Sequence, residues 1–154
     1  MNITIEYAYD RLDIIRTLFR EYADSLSIDL QFQDFEKELL RLPDKYALED
    51  GRLYIAYVDG NVAGCIGLRR FDATRCELKR LYIRPAFRHL GLGVLLSLKI
   101  IDDARQIGYH QILLDTLSSM TPAMNLYQKL GFKQIPAYYH NPIENAVYFS
   151  LDLA

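Results

Sequence analysis

The hydrophobic positions change their period several times along the chain, and each change marks an element. Ile3, Ile5 and Tyr7 alternate with polar neighbours, which predicts a short strand over Ile3–Tyr7. Asp10 then offers an N-cap to a helix carrying Leu12, Ile15, Leu18, Phe19 and Tyr22 at helical spacing, expected to end near Ser25–Ser27. A second helix, Phe35–Leu42, places Leu39 and Leu42 on one face and stops at Pro43, because proline disfavours helical backbone in the residue before it. Leu53–Val58 and Val62–Leu68 flank Asp59-Gly60 and read as a hairpin. Past a short loop at Asp72–Thr74, Cys76–Ile83 reads as a third antiparallel strand. An amphipathic helix, Leu92–Ile107, is closed by Gly108, and Gln111–Asp115 returns to a strand. A helix opened by Thr121-Pro122 and closed by Gly131 precedes the last strand, Ala146–Leu151. No repeat, linker or low-complexity tract interrupts the order, so residues 1–154 are expected to form one domain.

Bulk properties narrow the function classes. A net charge of −2 supplies no basic field for nucleic acid or an anionic membrane, so any anion affinity must be local. No apolar run reaches the roughly 18–20 residues that span a bilayer, and the N-terminus lacks a basic segment followed by a hydrophobic stretch; a soluble cytoplasmic protein is expected. Cys65 and Cys76 fall on neighbouring predicted strands and could lie near each other, but they lack Cys-x-x-Cys spacing, so both read as small buried residues and no metal site is expected. Twelve tyrosines without a tryptophan is an unusual balance that assigns no role by itself.

The local anion site is Arg88-His89-Leu90-Gly91-Leu92-Gly93, between a strand and the helix from Leu92. Glycines there let the backbone approach a ligand, and the first helical turn presents unpaired N–H groups at the positive end of its dipole. A phosphate or pyrophosphate fits such a site. A dinucleotide fingerprint would need a third glycine and a later acidic residue, and a P-loop would need Gly-Lys-Ser/Thr; neither is present.

With Glu77-Leu78-Lys79-Arg80-Leu81-Tyr82-Ile83 before it and Asn125-Leu126-Tyr127-Gln128-Lys129-Leu130-Gly131-Phe132 after it, the Arg-x-x-Gly-x-Gly pattern resembles the GNAT superfamily of N-acetyltransferases. The resemblance is specific from about Arg75 to Phe132. It implies an α/β (α+β) fold with a mixed, mostly antiparallel central sheet of six to seven strands flanked by helices, and acetyl-CoA as co-substrate. Pyrophosphate would then sit on the backbone of His89, Leu90, Gly91, Leu92 and Gly93, with Arg88 adding a charge-assisted contact. By the same resemblance the pantetheine arm adds as a strand along Leu81, Tyr82 and Ile83, Asn125 hydrogen-bonds it, and a bulge near Leu81 aims a backbone N–H at the thioester oxygen.

Acetyl transfer to an amine also needs a base and an acid. An ammonium group with a pKa of about 10.4 has no free lone pair at neutral pH. Glu77 is the candidate base: alternation puts it on the face of Leu81 and Ile83, where desolvation should raise its pKa, and the resemblance places a glutamate base there in some members. A glutamate paired with Lys79 or Arg75 on a solvated face is the competing reading. Tyr127 matches the family's proton donor to the departing thiolate, although Ala123, Leu126, Tyr127 and Leu130 would also make an apolar helical face. On the acceptor side, Tyr22, Thr116, Tyr139 and His140 are candidate lining residues, with Asp115 beside them and His140 a second candidate base. The expected activity is transfer of acetyl from acetyl-CoA to the primary amine of a small or amino-acid-like acceptor. A protein or peptide acetyltransferase and a non-catalytic acyl-CoA sensor are the alternatives; a homodimer is compatible with the sequence.

Overall fold

The computed structural model of the chain describes residues 1–26 and 34–153. One seven-stranded sheet runs through it: β1 (Ile3–Tyr7), β2 (Arg52–Val58), β3 (Asn61–Arg70), β4 (Arg75–Ile83), β5 (Gln111–Leu117), β6 (Lys133–Ile135) and β7 (Ala146–Asp152), in the spatial order β1-β2-β3-β4-β5-β7-β6. Among the described residues only β4 and β5 pair in parallel. The helices are α1 (Leu12–Leu26), α2 (Phe35–Arg41), α3 (Leu92–Ile107) and α4 (Thr121–Lys129).

The sheet is buried on both faces, which is why β2 reads as a continuous apolar run rather than an alternation. Leu53, Ile55 and Tyr57 pack with Ile15, Leu18 and Phe19 of α1 and with Leu39 of α2. Tyr54 and Ala56, of opposite parity, pack with Leu96, Ile100 and Ala104 of α3 and with Tyr127 of α4. The result is three layers with a core on each side of the sheet. No helix among the described residues is long and apolar enough to cross a membrane.

Most boundaries follow local rules. Asp59 and Gly60 both take positive φ, 51° and 82°, as a two-residue hairpin turn requires. Gly108 closes α3 in the left-handed region, its N–H donating to the carbonyls of Ala104 and Arg105. α2 ends one residue short of the expected Leu42, whose extended backbone is what a residue before proline prefers. The Asp10 cap is corrected: the Arg11 carbonyl accepts the first helical bonds, and the Asp10 carboxylate lies 3.3 Å from the Arg11 guanidinium instead. α1 ends at Leu26; Ser27, within the expected end, lies outside the described residues. β6 went unread because three largely solvent-facing residues leave no hydrophobic period.

The cysteines do not approach one another. Cys65 pairs in register with Tyr82 and packs toward α1, whereas Cys76 pairs with Arg70 and packs toward α3. Both are free and buried.

Two irregularities of β4 shape the site. Cys65 faces Tyr82 and Gly67 faces Lys79, so Arg80 and Leu81 together oppose Ile66; Arg80 sits at φ 59°. This is a β-bulge. Pairing with β5 stops at Glu77 opposite Leu113, while β5 stays paired with β7 as far as Leu117. Beyond that point β4 and β5 part, and a wedge opens between them.

Candidate active site

The wedge holds a cavity of about 520 Å³. Leu81, Tyr82 and Ile83 line one wall, Asp115, Thr116 and Leu117 the other, and Tyr127 of α4 reaches it from the α3/α4 layer. Arg88 and Gly93 stand at the loop end and Tyr22 of α1 on the opposite side. Of the residues expected in a site, these eight therefore meet at one place: Tyr22, Leu81, Tyr82, Ile83, Arg88, Gly93, Thr116 and Tyr127.

The loop before α3 turns sharply into the helix. Gly91 caps the helix at φ 80° and His89 also has positive φ, 67°. Arg88 is exposed, and its Nε donates to the Ile83 carbonyl at 3.2 Å, tying the loop to the end of β4. Leu90 and Leu92 turn their side chains into the small core around Val58 and Ala63, which leaves only their backbone for a ligand. Gly93 has a further reason to lack a side chain: a Cβ there would meet Leu126 of α4 at 3.3 Å. Asn125 is exposed on α4, next to the cavity residue Leu126.

Glu77 departs from expectation in two ways. The bulge shifts side-chain parity by one, so Leu81 and Ile83 pack toward the α3/α4 core with Cys76 and Leu78, and Glu77 points to the other face. There it lines a second cavity of about 360 Å³ with Arg69, Lys79 and Tyr139. It is 4% exposed, but neither solvated nor raised in pKa. Desolvation does push its pKa up; the charges of Lys79 and Arg69 and hydrogen bonds from Tyr138 (2.7 Å) and Arg69 (3.0 Å) outweigh it and hold the carboxyl below its ordinary range.

That arrangement has a consequence for stability. A carboxyl lowered on folding stabilises the fold above its unfolded value, ordinarily 4.5, and loses that contribution as pH falls through the lower folded value. Glu77→Gln is expected to lose roughly 1.5–3 kcal/mol near neutrality, the size of a charge-assisted hydrogen bond. In urea unfolding the gap to the parent should narrow as pH falls below 4.5 and on through the lower folded value; a gap independent of pH would mean that the Glu77 charge contributes nothing.

Around Glu77 the structure assembles a network that sequence reasoning largely missed. Arg80, 4% exposed, donates through Nε and Nη2 to Glu38 of α2 at 3.1 and 3.3 Å. Arg69 lies between Glu77 and Glu38. Lys79 Nζ is 3.8 Å from Asp115 Oδ1, across the mouth of the wedge. The loop before β7 folds down on this network: the Tyr139 hydroxyl donates to Asp115 Oδ2 at 2.5 Å and Asn141 Nδ2 to the same oxygen at 3.4 Å. His140, between them, is exposed, and its two tyrosine neighbours reach the sheet instead. The visible signal was Lys79-Arg80 as consecutive charges inside an otherwise apolar stretch, Leu78 to Ile83.

Tyr127 is core and cavity wall at once. Its ring packs on Phe132 and Phe149, with centroids 5.6 and 6.4 Å apart, and burial pushes its hydroxyl pKa up. Tyr22 is held edge-on to Tyr82, and its hydroxyl is raised for the same reason. The Thr116 hydroxyl donates to the Met120 sulfur at 3.7 Å.

Comparison with known proteins agrees with this geometry. The model of the acetyltransferase (GNAT) family matches residues 13–132. An N-acetyltransferase of Schizosaccharomyces pombe is 41% identical over 93% of this chain and 89% of its own length. Among solved structures, a GNAT-family acetyltransferase of Staphylococcus aureus superposes with a TM-score of 0.81 at 22% identity, covering 99% of this chain and all (100%) of that one. An acetyltransferase from Salmonella typhimurium, solved with acetyl-CoA, gives a TM-score of 0.75 at 20% identity over 100% of this chain and 95% of its own.

Proposed function

On the premise that this chain belongs to the acetyltransferase (GNAT) family and is an acetyl-CoA-dependent N-acetyltransferase, we propose that its acceptor is the primary amine of a small, amino-acid-like molecule. The observation that carries this reading is the covering loop before β7, pinned to β4 through Tyr138 and Glu77 and to β5 through Tyr139 and Asp115. A loop so tied leaves a short, polar, aromatic-walled chamber rather than a groove along which a peptide could lie. Its charges alternate in sign: Glu38, Glu77 and Asp115 stand among Arg69, Lys79 and Arg80. Such balance suits a molecule that carries an ammonium and a carboxylate together, because neither end meets an uncompensated field.

The cofactor side suits acetyl-CoA. The N–H groups of His89 to Gly93 and the Arg88 guanidinium take the pyrophosphate, and the unpaired edge of β4 at Leu81, Tyr82 and Ile83 takes the pantetheine amides as a neighbouring strand would. Asn125, exposed on α4 beside the cavity residue Leu126, hydrogen-bonds the pantetheine arm in this reading. The bulge at Arg80 and Leu81 frees a backbone N–H from the β3 ladder to stabilise negative charge on the thioester oxygen. Tyr127 then protonates the departing thiolate. Glu77 serves this site by holding Arg69 and the Tyr138 loop in place.

A panel of amines incubated with acetyl-CoA, read by thiol release, tests the acceptor class. Amino acids and their small derivatives should turn over and simple peptides blocked at side-chain amines should not. Preference for long peptides would overturn the reading.

A further inference from the structure

Glu77 is poorly matched to the work of a base, and the residue two positions along the strand is placed for it. We propose, building on the acceptor reading above, that Lys79 is the general base: its neutral Nζ takes a proton from the acceptor's ammonium where the cofactor cavity meets the acceptor chamber.

Geometry supports this first. Among the described residues, Lys79 is the one that lines both the wedge cavity and the chamber beside it. It precedes the bulge at Arg80 directly and is the first residue of its face beyond the last β4–β5 pair, Glu77 and Leu113. A group there reaches the attacking nitrogen from the acceptor side while the bulge reaches the thioester oxygen from the strand itself. The groups that face Lys79 are Glu77 and Arg80 on β4, Arg69 on β3, Asp115 on β5, Tyr22 on α1 and Tyr139 on the covering loop. Glu38 of α2 stands one step behind, on Arg69 and Arg80.

Electrostatics then makes the neutral form accessible. Burial, with the like charges of Arg80 and Arg69, brings Lys79 down to about 8 against the opposing pull of Asp115 and Glu77. Proton transfer from an ordinary ammonium near 10.4 is uphill by about two pKa units to such a lysine and by about six or more to a carboxyl below 4.5. R–NH3+ gives its proton to the Nζ lone pair, and the freed amine attacks the carbonyl carbon. As the C–S bond breaks, the thiolate leaves with its electron pair and is protonated through Tyr127 by the proton shed from the new amide nitrogen. The Lys79 ammonium, steadied by Asp115, then releases its proton to water through the chamber.

The experiment is a pH–rate profile of kcat/KM on the best amine of the panel and on an analogue whose amine titrates near 7. In the parent, the rate should rise through one ionisation near 8, at the same place for the ordinary amine as the lysine requires. Lys79→Arg keeps the charge opposite Asp115 but cannot deprotonate at these pH values. It should lose about 10²-fold near neutrality on the ordinary amine, rise without levelling toward the amine's own pKa, and recover most of its rate on the weakly basic analogue. Parent-like turnover with only KM raised would make Lys79 a cationic anchor and overturn the proposal. Should the variant not fold, the parent decides alone: an inflection that follows the pKa of a series of ordinary amines overturns the role of Lys79. A parent with no turnover on any amine overturns the acceptor reading and this proposal with it.

Discussion

With valine at position 91, acetyl-CoA is expected to lose its power to raise the melting temperature of the protein. Gly91 caps α3 at φ 80°, a conformation costing an L-residue about 1–2 kcal/mol and a β-branched one more. An added Cβ would meet nothing within 4 Å, so the damage comes from the backbone and not from a clash. To relieve the strain the loop must rotate, and the N–H groups from His89 to Gly93 then no longer converge on one anion. At ligand concentrations near 100 Kd the parent should gain about 2.7 kcal/mol from acetyl-CoA, and the variant close to none. The readout is the ligand-induced shift, since the variant starts from a lower melting temperature in any case. NADH should stabilise neither protein. Equal shifts with acetyl-CoA in parent and variant would remove the loop from the cofactor site.

Tyr127→Phe should lower kcat by about 10²-fold and leave stabilisation by acetyl-CoA unchanged. The substitution keeps the ring that packs on Phe132 and Phe149 and removes only the hydroxyl. Because burial raises that hydroxyl's pKa, it stays protonated throughout the neutral range and is always ready to donate. A lowered melting temperature with full turnover would leave Tyr127 as core alone.

Where local rules govern, the fold could be read almost to the residue. α3 spans its expected Leu92–Ile107 because a left-handed glycine bounds it at each end, Gly91 and Gly108. The glycine loop before α3 and the helix that carries Tyr127 were visible for a related reason: glycine spacing and a tyrosine in a helical block are written consecutively in the chain. Glu77 shows the limit. Its face was inferred by counting in twos from Leu81, and a single bulged residue at Arg80, which no side-chain pattern announces, inverts the count. The pairing of Lys79 with Asp115 was out of reach for another reason: 36 positions apart, they meet only because β5 is threaded beside β4. Tyr139 and His140 looked alike as neighbours in one polar loop, and only tertiary contact turns one onto Asp115 and the other outward.

The placement of the two cysteines bears on how turnover can be followed. Burial pushes both thiols up, Cys76 to about 12 and Cys65 beyond it, so neither holds an appreciable fraction of the nucleophilic thiolate at working pH. A chromogenic disulfide reagent added to the folded enzyme therefore records the coenzyme's sulfur against a silent protein background. The same reagent in denaturant counts two additional thiols per chain, which turns the assay's own dye into a gauge of how much of a variant preparation is folded.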